Sequence, residues 1–288
     1  MVLESVLLGM LAAIGWGISD FVVAVVSKRL GVLTTVLGVH VAAVAVTTVY
    51  LLLASSLSGI TLAQWSALAG AATLATFVYI GFYRALQIGP VVIVSPIISS
   101  YAVVVIVLAT IFIGERLNGL QILGTVASIG GVVLVSLNPQ GLRSTEKLIS
   151  TGILIGILAT VGLGLWQYTL GVLSRDIGWF LPIYVSRMLT LAILIPVIMS
   201  QREWPWLRLT FPLAIGVAFA GIMETGGLFA FTRGAEVGVI SIVAAASTTY
   251  PILPILGGLV ILRERLTRSQ VVGLVVVLLG LLMLSLST

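Results

Sequence analysis

Apolar runs long enough to cross a lipid bilayer follow one another along almost the whole chain, and that succession limits the fold more than any other feature. A spanning helix needs about 20 apolar residues at a rise of about 1.5 Å each. Breaks at charged and turn residues divide the 288-residue chain into ten such runs, roughly 3–27, 32–54, 63–87, 90–113, 118–137, 148–174, 178–200, 207–233, 238–262 and 267–287. Each is about twice the length of a barrel strand and none alternates, so helices are expected rather than strands. Composition agrees, because 8% charged residues is roughly a third of the share that coats an ordinary soluble domain. The expected fold is an all-α, multi-pass integral membrane protein with ten transmembrane helices. A soluble enzyme, a nucleic-acid binder and a disordered adaptor are excluded.

The formal charge of +5 comes from 14 Lys and Arg scattered through short loops, with no basic cluster for nucleic acid. With no cysteine and one histidine, the chain has no disulfide and no His/Cys metal site. No GxxxxGK[ST] loop and no GxSxG elbow occurs, so neither nucleotide hydrolysis nor another catalytic role is expected. No cofactor and no metal are expected either. The start, Met1 to Met10, lacks a basic leader and a small-residue cleavage pattern, so it is expected to be retained as part of the first helix.

The chain repeats itself. Shifting Phe82–Leu137 by 149 positions lays Phe82, Arg84, Gly89, Tyr101, Glu115, Arg116, Leu117, Gln121, Gly124 and Gly131 on Phe231, Arg233, Gly238, Tyr250, Glu264, Arg265, Leu266, Gln270, Gly273 and Gly280. Nearer the start, a shift of 147 pairs Gly9, Ala12, Gly15, Gly17, Ser27 and Gly31 with Gly156, Ala159, Gly162, Gly164, Ser174 and Gly178. Apolar composition alone would match some Leu and Val, but not Arg, Tyr, Glu and Gln in register. The expected organisation is a five-helix repeat over 1–137, a linker over 138–147 and a second repeat over 148–288. An odd number of helices per repeat sends the second copy into the membrane from the opposite side, an inverted repeat. That symmetry suits a site opened to each face in turn, although channels also use it.

Gly15-Trp16-Gly17-Ile18-Ser19-Asp20-Phe21 with Lys28, Phe82-Tyr83-Arg84-Ala85-Leu86, Gly89-Pro90 and Gly114-Glu115-Arg116-Leu117 with Gln121 and Gly124 form a set at characteristic spacings. Arg263-Glu264-Arg265-Leu266 with Gln270 and Gly273 is its second-half counterpart. The set resembles the drug/metabolite transporter superfamily, EamA type, over essentially the full length. The resemblance implies a cavity lined by helices 1–4 and 6–9, with helices 5 and 10 outside it, and a small-metabolite cargo such as an amino acid.

Ionisable groups deep in a bilayer cost about 2.5–3.5 kcal/mol each on insertion scales and usually face a cavity or a partner. Four lie well inside predicted helices: Asp20, His40, Arg187 and Glu224. His40 and Arg187 are equivalent under the 147 shift. Arg187, with Tyr184 on the same face, is expected to hold a substrate carboxylate or phosphate, or else to pair with Glu224. Glu224, followed by Gly226 and Gly227, is expected to meet a substrate amine or carry a proton. Trp16, Ser19 and Asp20 form one polar-aromatic patch. Asp20, His40 and Glu224 are the candidate proton-coupling groups. Ser95 and Ser99 on helix 4 and Thr248 and Thr249 on helix 9 make matching hydroxyl faces, expected to line the cavity or to bond between helices. Glu115 and Glu264 are expected to cap the starts of helices 5 and 10.

Ten cations, Lys28, Arg29, Arg84, Arg143, Lys147, Arg202, Arg208, Arg263, Arg265 and Arg268, flank odd-numbered loops, against Arg116, Arg175 and Arg233 for the even ones. The positive-inside rule would put both termini outside, whereas the resemblance implies both inside. The expected activity is secondary transport of a small polar metabolite by alternating access, with proton coupling as an addition. A non-transporting sensor or scaffold subunit and a channel are the alternatives. The expected partners are a small-molecule substrate and the lipid bilayer, with the chain a monomer or homodimer in a prokaryotic plasma membrane.

Overall fold

A computed structural model describes residues 2–54, 59–115, 118–136, 144–200 and 209–286. The helices are α1 (Val2–Leu30), α2 (Val32–Ala54), α3 (Leu62–Ile88), α4 (Val91–Ser99), α5 (Tyr101–Leu108), α6 (Gly119–Ser136), α7 (Ser144–Ile177), α8 (Phe180–Met199), α9 (Phe211–Val237), α10 (Ile240–Ser247), α11 (Ile252–Val260) and α12 (Arg268–Leu286). With a π-helical turn at Ala109–Ile113, α4 and α5 make one span, and α10 and α11 make another, so the helices form ten spans. Eight are long and apolar enough to cross a membrane, while α6 and α12 carry the shorter apolar stretches Ile122–Gly131 and Val271–Met283. No strand occurs among the described residues. Ser144–Lys147, expected in the linker, open α7; Asn138–Arg143, and Arg116 and Leu117 of the repeated motif, lie outside the described residues.

Leu52, Leu53, Phe112 and Val260 turn outward with more than two thirds of their surface exposed. Acyl chains are the solvent for such a surface, as an apolar exterior of this extent has no place in water.

The spans pack across the repeats. α1 lies along α9 and α3 along α7, and α6 lies along α12 at the far edge. A Cβ on Gly131 would sit 2.9 Å from the Gly273 carbonyl, and one on Gly280 would sit 2.7 Å from the Gly124 carbonyl. As α6 runs forward through 124 and 131, its contacts on α12 run backward through 280 and 273. Equivalent helices are therefore antiparallel, which is the inverted repeat expected from five spans per copy.

The fourth and ninth spans break at equivalent points. In α4, Pro96 removes a backbone donor, and the Ser99 and Ser100 hydroxyls donate to its carbonyl at 3.1 and 3.2 Å. Around Pro251 the chain tightens into i→i+3 bonds, with Tyr250 N–H donating to Ser247 O at 3.2 Å and Ile252 N–H to Thr249 O at 3.3 Å. Tyr101 follows the first break and Tyr250 lies within the second.

Both spans end in a left-handed residue, Gly114 at φ 77° and its counterpart Arg263 at φ 55°. The turn aims the next residue, Glu115 or Glu264, back at the opposite repeat. Glu264 accepts from the N–H groups of Val91 (3.0 Å) and Val92 (2.9 Å), which open α4. Glu115 accepts from the N–H of Ser241 (3.3 Å) and from its hydroxyl, at the start of α10, and pairs with Arg175 at 3.3 Å. These carboxylates do cap helices, but not the following ones as expected: each satisfies donors of the other repeat, at opposite faces of the membrane.

Two sets of substitutions follow. Gly131→Leu or Gly280→Leu drives a side chain into the backbone of the facing helix, and thermal unfolding in detergent should show a loss of about 1–3 kcal/mol for each. Gly130→Ala, where a Cβ meets nothing within 4 Å, should leave the transition unchanged. Arg263→Gly should stabilise by about 1 kcal/mol, because glycine occupies left-handed φ without the Cβ clash.

Candidate functional site

Close backbone approaches bring the site together. On α1, a Cβ on Gly15 would sit 3.0 Å from the Gly227 N, and one on Gly227 would sit 3.0 Å from the Ala12 carbonyl. That contact presses α1 against α9, so that Asp20 and Glu224 look into one space. Gly17 lies under the Tyr250 carbonyl (2.6 Å to an added Cβ) and its counterpart Gly164 under the Tyr101 carbonyl (2.9 Å). Gly17 and Gly164 thus seat the first and sixth spans on the two broken ones, while Gly15 and Gly162 meet α9 and α3.

Between these helices lies a cavity of about 40 Å³ lined by Trp16, Asp20, Tyr79, Phe82, Ile98 and Tyr101, and also by Leu163, Trp166, Gln167, Glu224 and Tyr250. That is room for a few waters, so a larger ligand enters only as the walls move apart. Its walls come from both repeats at equivalent positions: Trp16 with Leu163, Asp20 with Gln167, and Tyr101 with Tyr250. Trp16 is the centre of an aromatic cluster, its ring centroid 6.0 Å from Tyr101, 6.3 Å from Tyr250 and 5.7 Å from Phe231. None of the lining residues lies on α6 or α12.

One side of the cavity is backed by a buried polar network. Arg187 on α8 donates from Nη2 to both Glu224 oxygens, and its side chain is 1% exposed. The Tyr79 hydroxyl donates to Glu224 Oε1 at 2.6 Å. The guanidinium lies 5.3 Å from the Tyr79 ring centroid and 5.8 Å from that of Trp166. His40 Nδ1 faces the Val36 carbonyl at 2.9 Å, and its Nε2 faces Arg187 Nη1 at 3.0 Å. A carbonyl only accepts and a guanidinium only donates, so this geometry places the ring hydrogen on Nδ1 and makes Nε2 an acceptor. His40 is neutral in this arrangement. The repeat equivalents His40 and Arg187 therefore meet each other.

Of the residues singled out in the sequence, Trp16, Asp20 and Glu224 line the cavity. Asp20 is buried and has no hydrogen-bond or ion-pair partner among the described residues. Arg187 and His40 stand one layer back. Arg187 takes the paired arrangement with Glu224, not an open anion site. Tyr184 stacks on Phe180 with centroids 6.0 Å apart and is not a lining residue. Ser19 and Ser95 are buried with unpartnered hydroxyls, and Ser99 is tied to Pro96. Thr248 donates to Ala245 O at 2.6 Å and, between helices, to Leu281 O at 3.2 Å, while Thr249 donates to Ala246 O at 3.2 Å. None of these hydroxyl residues is among those lining the cavity, and Thr248 is the one that bonds to another helix. Sequence reasoning missed Tyr79, Leu163 and Ile98 as walls. Leu163 was within reach as the repeat equivalent of Trp16, whereas Tyr79 has only Leu228 as counterpart and no repeat signal.

Fold and cavity define a multi-pass membrane protein in which two inverted five-helix units close around a central, partly charged space. The chain belongs to the EamA-like transporter family, which matches residues 3–137 and again 148–286. It is 25% identical over 209 residues to an uncharacterized transporter of Archaeoglobus fulgidus, covering 72% of this chain and 71% of that protein. A solved crystal structure covering 98% of this chain, and itself covered to 96%, superposes with a TM-score of 0.64 at 16% identity, and so shares the fold. The protein is a membrane transporter, and its archaeal relative is consistent with a prokaryotic plasma membrane.

Breaking one partner of a buried ion pair strands the other charge, at about 3–5 kcal/mol. Glu224→Gln and Arg187→Leu should each lower stability by that order in thermal or denaturant unfolding in detergent. The double variant should recover much of the loss, giving a large coupling energy in a double-mutant cycle.

Proposed function

We propose that the chain is a secondary carrier that moves a small polar metabolite by alternating access, with the central cavity as its substrate site. The observation that carries this reading is that six of the eleven residues lining the cavity are three pairs of equivalent positions in two inverted repeats. If the repeats exchange conformations, the same residues remain at the centre while the path to one face closes and the path to the other opens. The broken fourth and ninth spans support it, since Ile98 and Tyr101 beside one break and Tyr250 in the other line the cavity.

Within this reading Arg187 positions Glu224, and Asp20 is the group placed to exchange a proton with the cavity. His40 and Glu224 are already engaged with Arg187. The repeats are proposed to span 1–137 and 148–288, joined by the segment between them, in a chain that acts as a monomer or homodimer.

Absence of cysteine makes the test direct. A single Ile98→Cys or Leu163→Cys variant should react with a membrane-impermeant thiol reagent from either face, in right-side-out and in inverted vesicles. A scaffold would react from one face at most. Reconstituted protein should show substrate counterflow at carrier rates; a channel would instead pass current without counterflow. Asp20→Asn should flatten the pH dependence of flux, and an unchanged profile would remove Asp20 as the coupling group.

A further inference from the structure

The carrier reading leaves the cargo open, and the charges around the cavity narrow it. We infer that the cavity is a site for a small organic amine lacking a carboxylate, with Asp20 as its counter-ion and Trp16, Tyr101 and Tyr250 as the walls around its cationic end. This inference rests on the proposed substrate site.

Charge comes first. Glu224 is matched by Arg187, and His40 is held neutral by Val36 and Arg187. Asp20 remains, with no partner, and no Lys or Arg lines the space. With Asp20 ionised, the cavity and the groups behind it carry one uncompensated negative charge. An isolated buried carboxylate costs several kcal/mol, a cost that a bound ammonium offsets.

Hydrogen bonding points the same way. Ser247 Oγ donates to Ala244 O at 2.8 Å, so at 2.6 Å from Tyr101 it accepts the phenol hydrogen. Tyr250 donates to Ser95 O at 3.4 Å, Tyr79 to Glu224 at 2.6 Å, and the Trp166 ring N–H to Ser186 Oγ at 3.4 Å. These donors are committed, so a substrate carboxylate would find no free cation and no free phenol. The Gln167 carbonyl is buried and unpartnered, at the position equivalent to Asp20. The surrounding rings add cation–π attraction, which strengthens where water is excluded.

Three matched sets of probes test this on the purified full-length protein in detergent, by calorimetric titration. Isoamylamine and phenethylamine are leucine and phenylalanine without the carboxylate; 4-methylpentanoate and 3-phenylpropionate are the same skeletons without the amine. At least one amine should bind ten times more tightly than its amino acid and its acid, and Asp20→Asn should abolish that binding. Trp16→Leu, which installs the residue found at the equivalent position 163, should weaken it severalfold and decides the matter if Asp20→Asn does not fold. Equal or tighter binding of an amino acid or acid overturns the inference. So does amine affinity that survives both substitutions, or no binding by any of the six probes. Failure of the carrier reading is separate: amine binding without counterflow would sink transport and leave the amine site standing, and amino-acid counterflow without amine binding would do the reverse.

Discussion

Polar atoms within the thickness of a bilayer find no water, so each one has to be satisfied by the chain or by a ligand. Most of the architecture follows from that demand. The N–H groups that open α4 and α10 lie where the neighbouring helix end cannot serve them, and a carboxylate from the opposite repeat accepts them instead. The carbonyls freed near Pro96 accept from serine hydroxyls one turn on. Arg187, His40, Tyr79 and Glu224 close a network in which nearly every hydrogen-bonding direction is used. Asp20 stands outside that network without a partner, as do the hydroxyls of Ser19, Tyr83 and Ser95, and it is the unpaired ionisable group that faces the cavity. A group that the fold leaves unsatisfied at an internal space is where binding chemistry has room to act.

The inverted duplication supplies the frame and divergence supplies the chemistry. Backbone features are kept in both copies: glycines that press spans together, breaks in the fourth and ninth spans, and left-handed turns at Gly114 and Arg263. Those features set the geometry, and both halves need it. Tyr101 and Tyr250 are kept at the cavity, but other side chains there are not. Asp20 corresponds to Gln167 and Trp16 to Leu163, and His40 meets its own equivalent, Arg187. A symmetric pair of carboxylates or of guanidiniums on the axis would repel at short range in a low dielectric. Unequal partners avoid that and give the cavity a charged side and an amide side.

Much of this was legible in the residues. The ten spans came from apolar run length, and the second copy from in-register Arg, Tyr, Glu and Gln. Scarcity of charge singled out Asp20, His40, Arg187 and Glu224, because burying any of them is costly enough to demand a reason. Of the two roles left open for the hydroxyl faces, lining the cavity or bonding, Ser99, Thr248 and Thr249 take bonding. Ser99, Thr248 and Thr249 sit at helix breaks, where a hydroxyl most easily satisfies a local carbonyl, and a one-helix projection does not reveal that competing partner. Likewise Glu115 and Glu264 sit next to the helices they were expected to cap, and the left-handed residue before each turns it toward a strand of chain more than a hundred residues away.

Sequence by itself determined the solvent, the helical class, the number of spans, the duplication and its inversion, because each depends on run length, periodicity or parity along one chain. Which buried charges are partnered and which is left open was decided only by tertiary structure. A charge cancels only with a group a few ångströms away, and the groups that meet Arg187 come from α2, α3 and α9, at separations no local pattern encodes. The approach of α1 to α9 through Gly15 and Gly227, and with it the shared space before Asp20 and Glu224, is a property of how the helices pack.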